Sequence, residues 1–543
     1  MEYQSTRDSG VRISAAEAIA QGLSGDGGLY VPVSIPKLAD GDIGRLAAMP
    51  YRERAAFVLK LFLEEFSEDE LARYACAAYS VGCAVESGRR DAEDCVLYGG
   101  DVYVTASTSK AGDYGSEDTA SRAAASGAFS HPLVAPVRRL DGNTYFLELW
   151  HGPTCAFKDM ALQMLPYLLT ASLRKTDEKR DVCILVATSG DTGKAALEGF
   201  RDVSGTKIMV FYPRDGVSDV QKLQMTSQSG GNVNVVAVDG NFDDAQTGVK
   251  AIFSDETLRE QLDRGGYFLS SANSINWGRL VPQIVYYISA YCDLLAGGDI
   301  KPGDKINFCV PTGNFGNILA AWYAERMGLP VNKLICASNR NDVLTQFFGT
   351  GVYDKNRPFY TTASPSMDIL VSSNLERLLF EMSGKDGGAV AGYMTSLTNA
   401  GRYEVPAIVK DETARLFEGG ACSEEDTKRT IADTFAIYNY LIDTHTAVAY
   451  KVLNDYRERS HDDTPSVVVS TASPFKFCDS VLDALGLPSE AGGADLIDTL
   501  AERTGCVVPT PLATLRDKSP RFTECVAVDG MKKAVRDFLA LFN

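Results

Sequence analysis

The stretch HGPTCAFKDMALQ, residues 151–163, places one lysine, Lys158, between a phenylalanine and the start of an apolar run. His151, Gly152, Pro153 and Thr154 read as a turn, and the run that follows reads as a helix. A helix N-terminus disfavours positive charge through its macrodipole. An amine there gives up its proton more readily, and more so where water is partly excluded. The neutral amine is the form that builds a Schiff base with a carbonyl compound. Taken alone, Lys158 reads as a solvated lysine at a helix start with Phe157 packed inward.

Several other polar segments carry residue types suited to binding. PTGNFGN (311–317) sets Gly313 and Gly316 in a strand-to-helix turn, which can aim backbone N–H groups at a phosphate. It lacks the G-x-G-x-x-G dinucleotide fingerprint, and an isolated glycine turn more often holds no ligand. ATSGDTGKAAL (187–197) contains Gly193-Lys194, but Thr188 stands where a P-loop needs glycine and Ala195 where it needs Ser or Thr. What remains there is a group of N–H and hydroxyl donors suited to a carboxylate, or an N-capping turn made by Ser189 and Asp191. SANSINWGRLVPQ (271–283) offers Asn273, Ser274, Asn276 and Arg279, either an anion clamp or a capped helix whose arginine pairs with a surface carboxylate. STASPFKF (470–477) puts Ser470, Thr471 and Ser473 at a strand end, where a hydroxyl could face a ring nitrogen or merely close a turn. DTHTAV (443–448) brings Asp443 and His445 before a helix, and a lone histidine more often caps or packs than catalyses.

The elements around these segments share one rhythm. From about residue 181 the chain alternates short apolar runs, tight loops and helical stretches: DVCILVAT, TKIMVFYP, NVNVVAVDG, KINFCVPT and PSVVVST each lead into a loop and helix. This predicts an α/β fold with mostly parallel sheets. In such sheets ligands sit at the C-terminal strand ends, where the 187–197, 311–317 and 470–477 loops lie. Residues 1–95 read as a largely helical first unit, and 106–129, rich in Ser, Ala and Gly, as a flexible insertion. The expected organisation is an N-terminal domain 1–95, a large domain from 96–180 and 269–543, and a small mobile domain over 181–268.

With 543 residues, 45% of them hydrophobic, the chain can bury more than one core. A formal net charge of −18 and no basic stripe argue against nucleic acid as a partner. Twelve scattered cysteines without a C-x-x-C pair, and only four histidines, argue against a metal site and suit a reducing compartment. No signal peptide and no apolar run of spanning length are apparent, so the expectation is a cytoplasmic protein with no membrane partner.

Lysine, glycine loop and strand-end hydroxyl together describe a site for pyridoxal 5'-phosphate. On these segments, together with YQSTRDS and GLSGDGGLYVP near the start, the chain resembles the threonine synthases of the longer bacterial and fungal type. The order and spacing of the segments carry the resemblance over most of the chain. It implies a tryptophan-synthase-β-like PLP fold (fold type II) and the reaction of O-phospho-L-homoserine and water to L-threonine and phosphate. Carried onto this sequence, it makes Lys158 the Schiff-base lysine and proton carrier. It makes Gly313, Asn314, Phe315, Gly316 and Asn317 the phosphate cradle, and Thr471 or Ser470 the partner of the pyridine nitrogen. Ser189, Gly190, Asp191 and Thr192 then meet the substrate carboxylate or its surroundings, with Asp191 open between substrate contact and helix cap. Asn273, Ser274 and Arg279 match the clamp on the substrate phosphate. The resemblance also implies a monomer rather than a dimer.

The sequence departs from the family pattern at Cys155, where leucine is usual, at Ser473 (histidine), Thr444 (proline) and Ala449 (glycine). None of these carries an assigned role, although Ser473 falls within the STASPFKF segment. Two other readings compete: a serine/threonine dehydratase, which needs no phosphate clamp, and a binding protein that keeps the fold without turnover.

Overall fold

The computed structural model describes residues 1–81, 96–98, 101–103 and 128–541. The expected insertion at 106–129 lies outside these residues except for its last two positions. The chain begins with a three-stranded antiparallel sheet in which Glu2–Ser5 lies between Ile13–Ser14 and Tyr30–Pro32. Helices follow, two of them started by reciprocal capping boxes, Ser14 with Glu17 and Ser67 with Glu70. The helix Tyr51–Phe62 buries Ala55, Val58, Leu59 and Phe62, the i, i+3, i+4, i+7 spacing of one helical face.

That face is covered by the helix Trp277–Ala296, which is buried nearly all round. Trp277 is fully buried, its ring 5.4 Å from Tyr3, 5.7 Å from Phe62 and 5.4 Å from Tyr323. Arg54 extends this junction, donating to Ser289 Oγ at 2.7 Å and pairing with Asp293. The first unit is thereby packed onto the helix that carries Arg279.

Two sheets form the rest of the framework. The larger runs in the order 417–421, 331–338, 306–311, 466–470, 144–148, 137–141, parallel throughout except for the antiparallel edge strand Val137–Asp141. Strands Ile306–Pro311 and Ser466–Ser470 are buried along their whole length, as a sheet covered on both faces requires. The smaller is all parallel, in the order 267–270, 181–187, 206–213, 233–238, 525–526. Among the described residues no helix is long and apolar enough to cross a membrane.

One expected boundary is corrected here. The range 269–543 was assigned whole to the large domain, yet strand Cys525–Val526 joins the smaller sheet beside Val233–Val238. The helix after it, Met531–Phe538, buries Met531, Ala534 and Val535 in the same core as Cys183, Met209 and Val236. A two-residue strand and an eight-residue helix carry too little periodicity to reveal their partner in the sequence.

Trp277→Ala removes the ring on which the first unit rests. Large-to-small core changes of this kind cost about 3–5 kcal/mol. The variant is expected to unfold at clearly lower urea than the parent, measured by tryptophan and far-UV signals together.

Candidate active site

The loops singled out in the sequence converge on Lys158. The residue caps the short helix Asp159–Leu162 and is 9% exposed. Its Nζ donates to Ser366 Oγ at 3.3 Å and lies 3.6 Å from Asp191 Oδ2. Burial is the main cause that lowers its affinity for a proton; the Asp191 charge opposes this, while Arg279 and Lys476 add to it. Behind the lysine, the HGPT turn wraps Asp159, which accepts from Thr154 N at 2.8 Å and Thr154 Oγ1 at 2.7 Å. Burial pushes Asp159 up to about 6. The turn is tied to the strand end opposite, where Phe157 N donates to Thr471 O at 2.7 Å.

The glycine loop is set by its carbonyls. Ser372 Oγ donates to Gly313 O at 2.7 Å, and Asn374 donates to Asn314 O from its backbone N at 3.1 Å and from Nδ2 at 2.9 Å. In a trans peptide the next N–H points opposite to the carbonyl. Pinning these two oxygens therefore turns the N–H groups of Asn314 and Phe315 to the other side of the loop. Neither of them, nor Gly313 N, donates to any group among the described residues. Phe315 holds φ 65°, an outlier for an aromatic residue, fixed by packing on Phe348 and Phe417. A Cβ at Gly313 would lie 2.5 Å from Ser366 O, so glycine lets the loop close against the residue that touches Lys158. Asn317 accepts from Tyr286 OH and Tyr287 OH, both at 2.6 Å, and its buried Nδ2 has no partner.

Arg279 is 3% exposed and has no carboxylate partner among the described residues. One guanidinium nitrogen donates to Ala272 O, and Nε has no partner. Burial holds it down to about 10. A buried cation without a counter-ion costs several kcal/mol unless an anion joins it. Ser274 lies beside the glycine loop, its Oγ accepting from Asn374 Nδ2 at 3.0 Å. The side chains of Asn273, Ser189 and Thr192 are half-buried and make no hydrogen bond among the described residues.

Two assignments change with the geometry. Asp191 does not cap its helix: the cap is Gly190 at φ 130°, and Thr188 Oγ1 accepts from Gly190 N at 3.0 Å and Gly193 N at 2.9 Å. Nor does its carboxylate suit an anionic substrate group. Oδ1 accepts from Gln221 Nε2 at 2.8 Å and sits 3.1 Å from Lys476 Nζ, and these neighbours with Lys158 hold it well below the usual carboxylate range against the cost of burial. Ser470 is likewise engaged, its Oγ accepting from Trp150 Nε1 at 3.1 Å and lying 3.1 Å from Thr446 Oγ1. The Thr471 side chain is 5% exposed and has no hydrogen-bond partner among the described residues.

Sequence reasoning missed Ser366, Ser372, Asn374, Gln221 and Lys476. For Lys476 a signal was present, a charge between Phe475 and Phe477. His445 was read as a capping or packing residue. Its Nε2 accepts from Ser366 N at 3.2 Å, so the proton sits on Nδ1 and faces Asp443 Oδ2 at 2.8 Å. The dyad fixes the turn that presents Ser366 to Lys158.

The residues fit pyridoxal phosphate: a buried lysine of lowered basicity, a loop with unbonded N–H groups, an orphaned amide at Asn317 and a free hydroxyl at Thr471. Three family models match the chain: the threonine synthase N terminus over residues 2–79, the pyridoxal-phosphate dependent enzymes over 130–473, and the threonine synthase C-terminal region over 446–538. The threonine synthase of Pseudomonas aeruginosa is 38% identical over 95% of this chain and 97% of its own length. The crystal structure of PLP-bound threonine synthase from Brucella melitensis superposes with a TM-score of 0.80 at 34% identity, covering 99% of each chain. That of threonine synthase from yeast gives 0.81 at 30% identity, covering 100% of this chain and 99% of the other. Matched from end to end in both sequence and fold, the chain belongs to the threonine synthase family of pyridoxal-phosphate-dependent lyases.

Proposed function

We propose that this chain converts O-phospho-L-homoserine and water into L-threonine and phosphate, with Lys158 as the cofactor lysine. The observation that carries the reading is Arg279: a buried cation with no counter-ion, in the same cleft as the lysine, calls for an anionic substrate group. Bound in the cleft, pyridoxal phosphate supplies an electron sink for charge developing on the substrate carbon skeleton. The N–H groups of Gly313, Asn314 and Phe315 with Asn317 Nδ2 would hold its phosphate, and the unpartnered Thr471 hydroxyl, rather than that of Ser470 beside Trp150 and Thr446, would face its ring nitrogen.

Lys158 holds and moves protons at the substrate's Cα and Cβ, and its weakened grip on a proton keeps a neutral amine available to accept one. Arg279, Asn273 and Ser274 bind the γ-phosphate and stabilise the charge that grows on it as the C–O bond breaks. The hydroxyls of Ser189 and Thr192 offer donors to the substrate carboxylate at the start of the helix Asp191–Phe200, where the dipole also favours an anion, while Gly190, its N–H bonded to Thr188 Oγ1, shapes the turn. Closure of the unit built on the smaller sheet excludes water until the step that needs it. The ten cysteines among the described residues are all free thiols, which supports a reducing setting such as the cytoplasm.

The PLP-loaded protein is expected to release threonine and phosphate in equal amounts from O-phospho-L-homoserine. Lys158→Ala should lose about 10³-fold or more in kcat, the scale of a positioned acid–base group. A folded, PLP-loaded protein that forms neither product overturns the reading. Arg279→Met is expected to lose about 10²–10³ in kcat/KM. The same change should leave the ligand-free protein as stable or up to about 4 kcal/mol more stable, because it deletes a buried unpaired charge. Inorganic phosphate should raise the melting temperature of the parent more than that of this variant.

A further inference from the structure

Lys476 has no role in the proposed reaction, yet it is a fully buried cation beside Asp191. It lies in the turn Pro474–Lys476, just beyond the strand Ser466–Ser470 of the larger sheet. Its ammonium donates to Thr154 O at 2.8 Å and Gln224 Oε1 at 2.8 Å and forms an ion pair with Asp191 Oδ1 at 3.1 Å. Thr154 belongs to the lysine's own loop, Gln224 to the helix Asp219–Thr226, and Asp191 to the helix Asp191–Phe200. Its backbone carbonyl also accepts from Ser218 Oγ at 3.0 Å. One side chain thus joins the large sheet, the lysine loop and two helices of the smaller unit.

Asp191 is shared unequally between two lysines. Oδ1 lies 3.1 Å from Lys476, whereas Oδ2 lies 3.6 Å from Lys158, with Ser366 Oγ alongside at 3.5 Å. We infer that Lys476 is a positioning residue that holds Asp191 across the cleft and limits the grip of that carboxylate on Lys158. Without such a competitor, a buried one-to-one ion pair with Asp191 would keep Lys158 protonated and unreactive. The groups facing the lysine are Asp191, Ser366 and Arg279, with the Phe157 ring 4.8 Å from Nζ. Lys476 and His445 stand behind them, both acting on Asp191, and Asp159 sits beneath the loop. Among these Asp191 is the carboxylate that favours the charged amine, and Lys476 opposes it twice, by engaging Asp191 Oδ1 and by its own like charge.

The inference rests on Lys158 as the cofactor lysine, and the test separates the two. The full-length protein, freed of cofactor, is mixed with pyridoxal phosphate across a pH series. Capture, in which neutral amine and aldehyde form the imine and release water, is fixed with borohydride and located by peptide mass. In Lys476→Met the midpoint of capture is expected to move up by about one pH unit, making capture about tenfold slower near pH 7.5. Lys476→Arg, which restores a cation, should lie nearer the parent. Should Lys476→Met fail to fold, the double variant Asp191→Asn/Lys476→Met removes both partners of the pair and adds no unpaired buried charge, and its midpoint should fall below the parent's. Fixation on Lys158 with an unmoved midpoint in the folded variant overturns this inference alone. Fixation on another lysine overturns the assignment of Lys158 and this inference with it.

Discussion

The site buries one cation, Arg279, that no carboxylate among the described residues balances. Lys158, Arg279 and Lys476 are all buried there, and Asp191 is the carboxylate set between the two lysines. Such an arrangement is costly in the empty protein, because ions removed from water must recover their hydration from neighbours. The cost is tolerable where anions complete the set, and both a cofactor phosphate and a substrate phosphate would do so. Much of the surrounding structure serves to keep this imbalance in place. Gln221 donates to Asp191 and Gln224 accepts from Lys476, and the Asp443–His445 dyad fixes the turn carrying Ser366.

The first unit of the chain belongs to this scheme although it supplies no group at the lysine. Arg377, fully buried, donates to Tyr30 O at 3.0 Å, to Ile275 O at 2.6 Å and to Ser274 O at 3.3 Å, and also reaches Asn374. One guanidinium therefore ties a strand of the first unit to the loop before Arg279 and to the residue that pins Asn314. Beside it, Arg7 and Thr6 both bond Glu376. These are charge-assisted bonds with fixed geometry, suited to setting loop positions within a few tenths of an ångström. The loops 271–279 and 311–317 are tied to the N-terminal sheet as well as to the large one.

The sequence made some of this legible and hid the rest for identifiable reasons. The parallel sheets were visible because their strands are continuous apolar runs, and the binding loops because polar residues punctuate those runs at strand ends. Lys158 and Arg279 could be picked out because each is a lone cation beside an apolar stretch. Asp191 could be found but its role could not, since capping, substrate contact and ion pairing all draw on the same residue type. Lys476 stood in a segment read for its hydroxyls, and Ser372 and Asn374 act through carbonyls of a loop nearly sixty residues earlier. Such long-range bonds to backbone atoms leave no local pattern in a single sequence. The place of strand Cys525–Val526 was hidden for the same reason: its pairing is decided by a neighbour far away in the chain.

That last strand has a consequence for how the protein is made. As synthesis proceeds from the N-terminus, Val233–Val238 emerges long before its partner and presents an open edge of N–H and C=O groups. The apolar patch that later receives Met531, Ala534 and Val535 is uncovered over the same interval. The smaller sheet cannot be finished until residues 525–538 have been made. A nascent copy is thus sticky along one defined seam, and truncation near the C-terminus would leave that seam permanently exposed to association with other copies.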